Sequence, residues 1–362
     1  MYLILNQDEK IISFTAILNY LIFLSFYYFW VGTPFIGDAK VYLNESIDIS
    51  KAVYNQFHVP LYPLSVGILS RMFFGVVPNE LIMLFINFFS YLFGALLVYK
   101  TLKIKSSKKI AFYSSISFLL WPLVGASYVV FPVADSFVIF LFLYGSYHLE
   151  KKNFHLSFFI FSLAVITHKA IWPFIFLIYL IYLLKNIKLN FNKWLYSSLI
   201  LIIPILVYYL NGLNYYESIF WIVSKNIEVE VNSISSLFIF EGILNEIIYG
   251  KPQEILKGFL AANLFLFCLL LLYLSYKEKV DIYDYLVLPY VLPFIIYLAF
   301  LNHHEVFAAI RFSKLLIIPI IKICELIICR LIKNHSLKIY FFITTLFLSQ
   351  FLMIHYFRIF FN

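Results

Sequence analysis

The chain has 362 residues, 63% of them hydrophobic and 13% charged, with a net charge of +8. Soluble proteins carry roughly 25% charged residues, so this composition excludes an ordinary soluble domain and predicts a polytopic membrane protein whose core is supported by the bilayer. The positive balance does not point to nucleic acid, because the lysines sit in short loops between apolar stretches and no basic–aromatic recognition motif occurs.

In chain order, the first apolar stretch is Ile11–Val31. Lys10 is the one basic residue before it and no small-residue cleavage site follows, so it reads as a retained helix rather than a signal peptide. At about 20 residues per span, the sequence predicts an all-α bundle of eleven spans: 11–31, 79–99, 110–130, 133–149, 156–168, 170–184, 194–211, 256–275, 283–301, 306–328 and 339–360. The short segments 156–168 and 170–184 flank the polar Thr167–His168–Lys169 and read as an incomplete pair meeting near the outer side. No soluble domain, Gly/Ser linker or internal repeat is visible, so residues 1–362 form a single membrane domain.

Charge sets the sidedness. With a cytoplasmic N-terminus, the loop 100–109 lies inside with Lys100, Lys103, Lys105, Lys108 and Lys109. Lys151, Lys152, Lys185, Lys188, Lys193, Lys277, Lys279, Arg330, Lys333 and Lys338 share that side. The loop 212–255 falls outside, with Glu217, Glu228, Glu230, Glu241, Glu246 and Glu254 against Lys225 and Lys251. Segment 60–77 is apolar enough for a span, yet counting it would turn the lysine-rich 100–109 outward. It is therefore predicted as an amphipathic helix in the outer interface, making 32–78 one partly embedded outer loop. The predicted location is a bacterial inner membrane.

On this topology the unusual polar residues gather outside. Asp38 follows the first span in Gly37–Asp38–Ala39–Lys40. A carboxylate at the mouth of a bundle has lost part of its hydration, and such groups carry function by default; a solvated turn is the simpler alternative. Glu45 and Asp48, three apart, read as a solvated face. His58–Val59–Pro60–Leu61–Tyr62–Pro63 has two prolines that forbid a regular helix through it and that would hold His58 and Tyr62 before a sugar or phosphate. Phe131–Pro132–Val133–Ala134–Asp135–Ser136 turns into the fourth span. There Asp135 is either a helix cap or a second acid facing Asp38. His168 and Lys169 interrupt an apolar run, where a cation needs a partner such as a lipid-linked phosphate; a snorkelling lysine is the alternative. His303–His304–Glu305 precedes Arg311–Phe312. Adjacent histidines cannot both face one helix-borne metal, whereas a guanidinium at a span end suits a phosphate. Cys268, Cys324 and Cys329 lie inside apolar segments, with no disulfide framework or metal knuckle. No Walker loop, GxGxxG, GxSxG, HExxH or DxD occurs, which argues against a nucleotide-sugar donor.

The order of these motifs resembles the GT-C superfamily of integral-membrane glycosyltransferases. They are an early Asp in the first outer loop, Pro60–Leu61–Tyr62–Pro63, Pro–x–x–Asp–Ser opening a span that ends at Glu150–Lys151–Lys152, Thr–His–Lys between two short spans, and Arg311–Phe312 with Pro319 beyond. Within that superfamily the chain is most similar to the mannosyltransferase branch that uses dolichyl-phosphate-mannose-type donors, including the phosphatidylinositol-glycan mannosyltransferases. The resemblance spans most of the chain as topology, but its motifs cover few positions. It implies a sugar on a polyprenyl phosphate as donor and a glycan, lipid or protein hydroxyl as acceptor. It also implies Asp38 as catalytic base and Lys169, Arg311 and His168 as donor-phosphate ligands. His58, Tyr62, Asp135, His303 and His304 are the substrate-binding candidates. The family often pairs a second acidic or histidine residue with the base where this chain has Gly37–Asp38, so no cofactor is assigned and a divalent cation stays open.

The expected reaction is inverting transfer, with Asp38 taking the acceptor proton. Two alternatives remain at this stage: an O-antigen-type polysaccharide polymerase, which would not need Asp38, and a polysaccharide or lipid transporter or flippase.

Overall fold

The structure, a computed structural model, describes residues 6–30, 32–35, 38–48, 60–120, 132–168, 171–186, 191–216, 252–277, 284–300, 313–316 and 318–319. Among these residues there is no strand. The fold is carried by α1 Gln7–Trp30, α2 Asp38–Ile47, α3 Leu61–Met72, α4 Asn79–Lys105, α5 Lys108–Leu119, α6 Ala134–Glu150, α7 Phe154–Val165, α8 Trp172–Asn186, α9 Phe191–Tyr216, α10 Pro252–Lys277 and α11 Leu288–Phe300, with a 3-10 turn at Ser313–Leu316. The predicted apolar segments from 11–31 to 283–301 fall on α1 and on α4 to α11, except that 110–130 is described only as far as Leu120. Segment 306–328 is described only at 313–316 and 318–319, and 339–360 lies outside the described residues. Among the described residues one helix, α4, is long and apolar enough to cross a membrane; α7 and α8 are shorter apolar helices. At 12 residues and a rise of about 1.5 Å per residue, α7 is about 18 Å long, well short of a bilayer core.

The chain divides into two compact units: Met1–Phe23 with Ala95–Ser127 and Phe238–Asn362, and Leu24–Gly94 with Tyr128–Leu237. In the first unit, α1 opens with a capping box. The Glu9 amide donates to Asn6 Oδ1, and the Asn6 amide donates to Glu9 Oε2, both at 3.0 Å, so two orphan donors are met reciprocally. The acids of this first turn meet the basic α4–α5 junction. Asp8 lies 3.2 Å from Lys108 and accepts from the Tyr99 hydroxyl at 3.0 Å, while Glu9 lies 3.8 Å from Lys100. Lys105 reaches Asp284, just ahead of α11, at 3.2 Å. Helix pairing in this unit uses small polar groups: Ser115 Oγ donates to the Ala95 carbonyl at 2.6 Å and Asn19 Nδ2 to the Leu119 carbonyl at 3.0 Å. Cys268, the one cysteine among the described residues, is buried and free.

The second unit is built on the α6–α7 hairpin. Helix α6 ends at Glu150 with Lys152 at φ 60°. The Asn153 amide bonds the His148 carbonyl and the Lys152 amide the Leu149 carbonyl, both at 2.9 Å, a Schellman closure. The returning helix lies close because residue 145 is glycine: a Cβ there would stand 2.5 Å from the Phe161 ring. The Gly145 carbonyl also accepts from Ser157 Oγ at 2.8 Å. Phe142, Phe158, Phe161 and Phe174 fill the space around it, all fully buried.

Helices α2 and α3 pack together over a cluster of Ala39, Tyr42, Tyr62, Val66, Ile82, Met83, Val133 and Ala134. Two expectations are corrected here. Glu45 is 5% exposed rather than on a solvated face, because it lies three residues from Tyr42 on the face α2 turns to its neighbours. The proline pair does not bar a helix: Pro60 is the N-cap of α3 and Pro63 stands in its first turn. The first N–H groups of a helix have no intrahelical partner, so a proline costs no hydrogen bond there. Helix α3 buries Tyr62, Pro63, Val66 and Gly67 and exposes Ile68, Arg71 and Met72; the helix expected over 60–77 ends at Met72, and 73–77 form a turn.

Candidate functional site

Three segments distant in sequence meet at one end of the second unit. The first is the start of α3. Its Leu61 amide donates to the Ile166 carbonyl at 3.1 Å. Tyr62 is fully buried, its ring 5.3 Å from that of Tyr42 in an edge-on contact and 6.1 Å from that of Phe137. The Tyr62 hydroxyl donates to Asn87 Oδ1 at 2.9 Å.

The second segment is the start of α6. Its N-cap is Val133, which makes no side-chain cap bond, so Asp135 is not the cap considered from sequence. It stands in the first helical turn, 3% exposed, where the helix dipole favours an anion. Ser136 follows at 2% exposure, and its hydroxyl has no hydrogen-bond partner among the described residues.

The third is the corner after α7. Each carbonyl at the end of α7 is met: Leu163 by the Thr167 hydroxyl at 2.6 Å, Ala164 by the Thr167 and His168 amides, Val165 by the Trp172 indole N–H at 2.9 Å and Ile166 by Leu61. Away from water an unmet carbonyl is costly, so this accounting lets a helix break without penalty. The corner sets His168 Nε2 3.5 Å from Asp135 Oδ1. The histidine side chain is 21% exposed and the acid side chain 4%. The pair thus has a desolvated carboxylate behind an imidazole that a ligand can reach. The contact is electrostatic rather than a hydrogen bond, and the imidazole is the member that can meet an anion.

Beside the corner an apolar groove of about 430 Å³ runs between Val165, Trp172, Ile202, Ile205, Leu206, Tyr208 and Tyr209.

Asp38 is the first residue of α2 and is exposed. Its neighbour Ala39 belongs to the same cluster as Ala134, the neighbour of Asp135. Of the predicted set, then, the structure joins Asp135 with His168 and places Tyr62 alongside through Phe137. Tyr62 leaves no surface for a ligand in this arrangement. His58, Lys169, His303, His304 and Arg311 lie outside the described residues. Sequence reasoning passed over Asn87, fully buried in α4, although an amide inside an apolar run is itself a signal because burial demands a partner. Ser136 carries no signal of its own in the sequence beyond its place after Asp135. Comparison with known protein families, with curated proteins and with solved structures finds no match to this chain.

Proposed function

We propose that this chain is a multi-pass membrane glycosyltransferase of the GT-C type, moving a hexose such as mannose from a polyprenyl phosphate to a hydroxyl acceptor on the extracytoplasmic face. The observation that carries the reading is the meeting of Pro60–Tyr62, Asp135–Ser136 and Ile166–His168 at one end of the second unit. These are the motif segments whose order in the chain resembles that family. Transfer to a hydroxyl needs a group that accepts its proton as the new C–O bond forms. Asp38, exposed at the head of α2, is open to an acceptor. The bond to the donor phosphate breaks as the acceptor oxygen attacks the opposite face of the anomeric carbon, and the phosphate leaves with the bonding pair. His168, beside Asp135, meets that phosphate and lowers the energy of its growing charge; Lys169 and Arg311, which the family resemblance implies as further phosphate ligands, lie outside the described residues. The groove that opens at Val165 and Trp172, on either side of His168, has the apolar lining a polyprenyl tail needs.

The membrane part of the reading draws on the 63% hydrophobic composition, on α4 and on the ion pairs of the first unit. The sidedness from lysine counts predicts that the chain start, 100–109 and the segment ahead of α11 share the cytoplasmic side. Asp8, Glu9, Lys100, Lys105, Lys108 and Asp284 are the residues those ion pairs join.

The test is an assay of the purified protein with a panel of radiolabelled polyprenyl-phosphate sugars, with and without chelator. Wild type is expected to form a glycosidic bond from at least one donor. Asp38→Ala should lose about 10²–10⁴-fold in rate. Transfer that survives Asp38→Ala favours the polymerase, substrate flux without a new bond favours the transporter, and failure with every donor overturns the proposal.

A further inference from the structure

A second site lies in the same unit, in the cleft between the end of α3, the start of α4 and α2. It measures about 280 Å³ and is lined by Leu43, Ser46, Ile47, Gly67, Ser70, Arg71, Asn79 and Glu80, near the lower edge of the roughly 300–1,000 Å³ that holds small ligands. Opposite charges face this one space. Arg71 stands in the last turn of α3 and Glu80 in the first turn of α4. Among the described residues neither side chain has an ion-pair or hydrogen-bond partner. The inner wall is pre-set, with Asn79 Nδ2 donating to Ser46 Oγ at 2.9 Å and Ser46 Oγ donating to the Leu43 carbonyl at 2.6 Å.

The turn that joins α3 to α4 carries the second observation. Gly75 bonds the Ser70 carbonyl at 2.9 Å and Phe74 the Arg71 carbonyl at 3.0 Å. This Schellman closure puts Phe74 at φ 54°, a left-handed position that glycine normally fills. Glycine is next door, at 75, yet the strained place holds a phenylalanine that is 93% exposed. Met72 at 67%, Phe73 at 52% and Val76 at 81% surround it. Strain held at one point together with a contiguous apolar tip marks a contact surface rather than a solvated turn.

A partner with a cation and an anion a few bonds apart, joined to an apolar body, satisfies all of these features. We propose that this cleft binds the headgroup of a phosphatidylethanolamine-type lipid. The phosphate faces the Arg71 guanidinium, which grips two oxygens in parallel. The primary ammonium donates to Glu80, and the Met72–Val76 tip enters the acyl region beside it. None of the cleft's described lining residues is aromatic, which disfavours a sugar stacked on a ring. The inference rests on the membrane part of the proposed function and not on glycosyl transfer.

The experiment measures lipid binding to full-length protein by native mass spectrometry. The probes are phosphatidylethanolamine, its N-methyl and N,N-dimethyl forms, phosphatidylcholine and phosphatidylglycerol of equal chain length, with free phosphoethanolamine as a separate arm. Each methyl removes one ammonium donor, so affinity should fall stepwise, by about tenfold or more from the primary amine to the trimethylated headgroup. Glu80→Gln should flatten that series, and Arg71→Gln should weaken every phospholipid while keeping the series. Circular dichroism identifies any variant that has lost its helices, and the methylation series needs no variant at all. Equal binding of ethanolamine and choline lipids by the wild type overturns the site. Free phosphoethanolamine competing as well as the lipid overturns the role of the apolar tip. A protein that stays in solution without detergent and floats with no vesicle refutes the membrane reading instead, which separates the two failures.

Discussion

The hydroxyl of Tyr62 ties α3 to α4 through Asn87, and both side chains are fully buried. Tyr62→Phe keeps the ring packing but removes the donor, so Asn87 Oδ1 loses one hydrogen bond in a place water does not reach. The expected cost is about 1–3 kcal/mol, read as a lower unfolding temperature. Asn87→Leu in the Tyr62→Phe background should recover part of it, since the amide is then gone as well. A double-mutant cycle with no coupling would remove this bond from the account of how α3 is held. Asp135 and His168 invite a sharper comparison. A carboxylate 3% exposed is costly unless it is compensated. His168→Leu takes the imidazole away and leaves the acid, whereas the double variant Asp135→Asn, His168→Leu removes the charge too. The single variant should therefore be less stable than the double, by about 1–3 kcal/mol given that the histidine is partly exposed. The reverse order in thermal unfolding would mean the contact at 3.5 Å contributes nothing.

At the scale of an element, the α6–α7 hairpin depends on one missing methyl group. Gly145→Ala would drive a Cβ into the Phe161 ring at 2.5 Å, and that ring is wedged against Phe142 and Phe158. Overpacking of this kind costs about 1–3 kcal/mol, and Phe161→Leu in the same chain should relieve it. An alanine variant as stable as wild type would show that the hairpin opens freely. The existence of this hairpin was legible in sequence, because two apolar runs flank Glu150–Lys151–Lys152–Asn153. Its register was not: the approach at Gly145 and the pairing of residues 135 and 168 follow from side chains meeting across two helices, which no local pattern encodes. The burial of Glu45 was illegible for a related reason. The buried face of α2 is Ala39, Tyr42, Glu45 and Ser46, too polar to register as an apolar stripe. Pro60 and Pro63 read as a helix barrier because the rule for helix interiors was applied to a helix start.

For the whole molecule, long apolar runs made the helical class and the positions of most helices readable, since each run is its own local signal. The candidate site was readable as a set of motifs but not as a geometry. What distinguishes the proposed membrane topology is an asymmetry between two ends. Lysines of the α4–α5 junction meet acids of the α1 start and Asp284 in the first unit. The α6–α7 turn with Lys151 and Lys152 lies at the opposite end of its hairpin from Asp135 and His168. In the proposed topology the positive-inside rule assigns both lysine groups to the cytoplasm, and the Asp135–His168 corner is then expected outside. In a background with the native cysteines replaced, Lys152→Cys and Lys103→Cys should react with a membrane-impermeant maleimide only after the cells are opened, and Arg71→Cys should react in intact cells. Helix α3 carries the test. Were it a true span, every later loop would change sides, so Arg71→Cys would resist labelling while Lys103→Cys and Lys152→Cys labelled from outside. Labelling in that inverted pattern would place the proposed phosphate-binding corner in the cytoplasm, where a polyprenyl-phosphate sugar presented to the outer leaflet never reaches it.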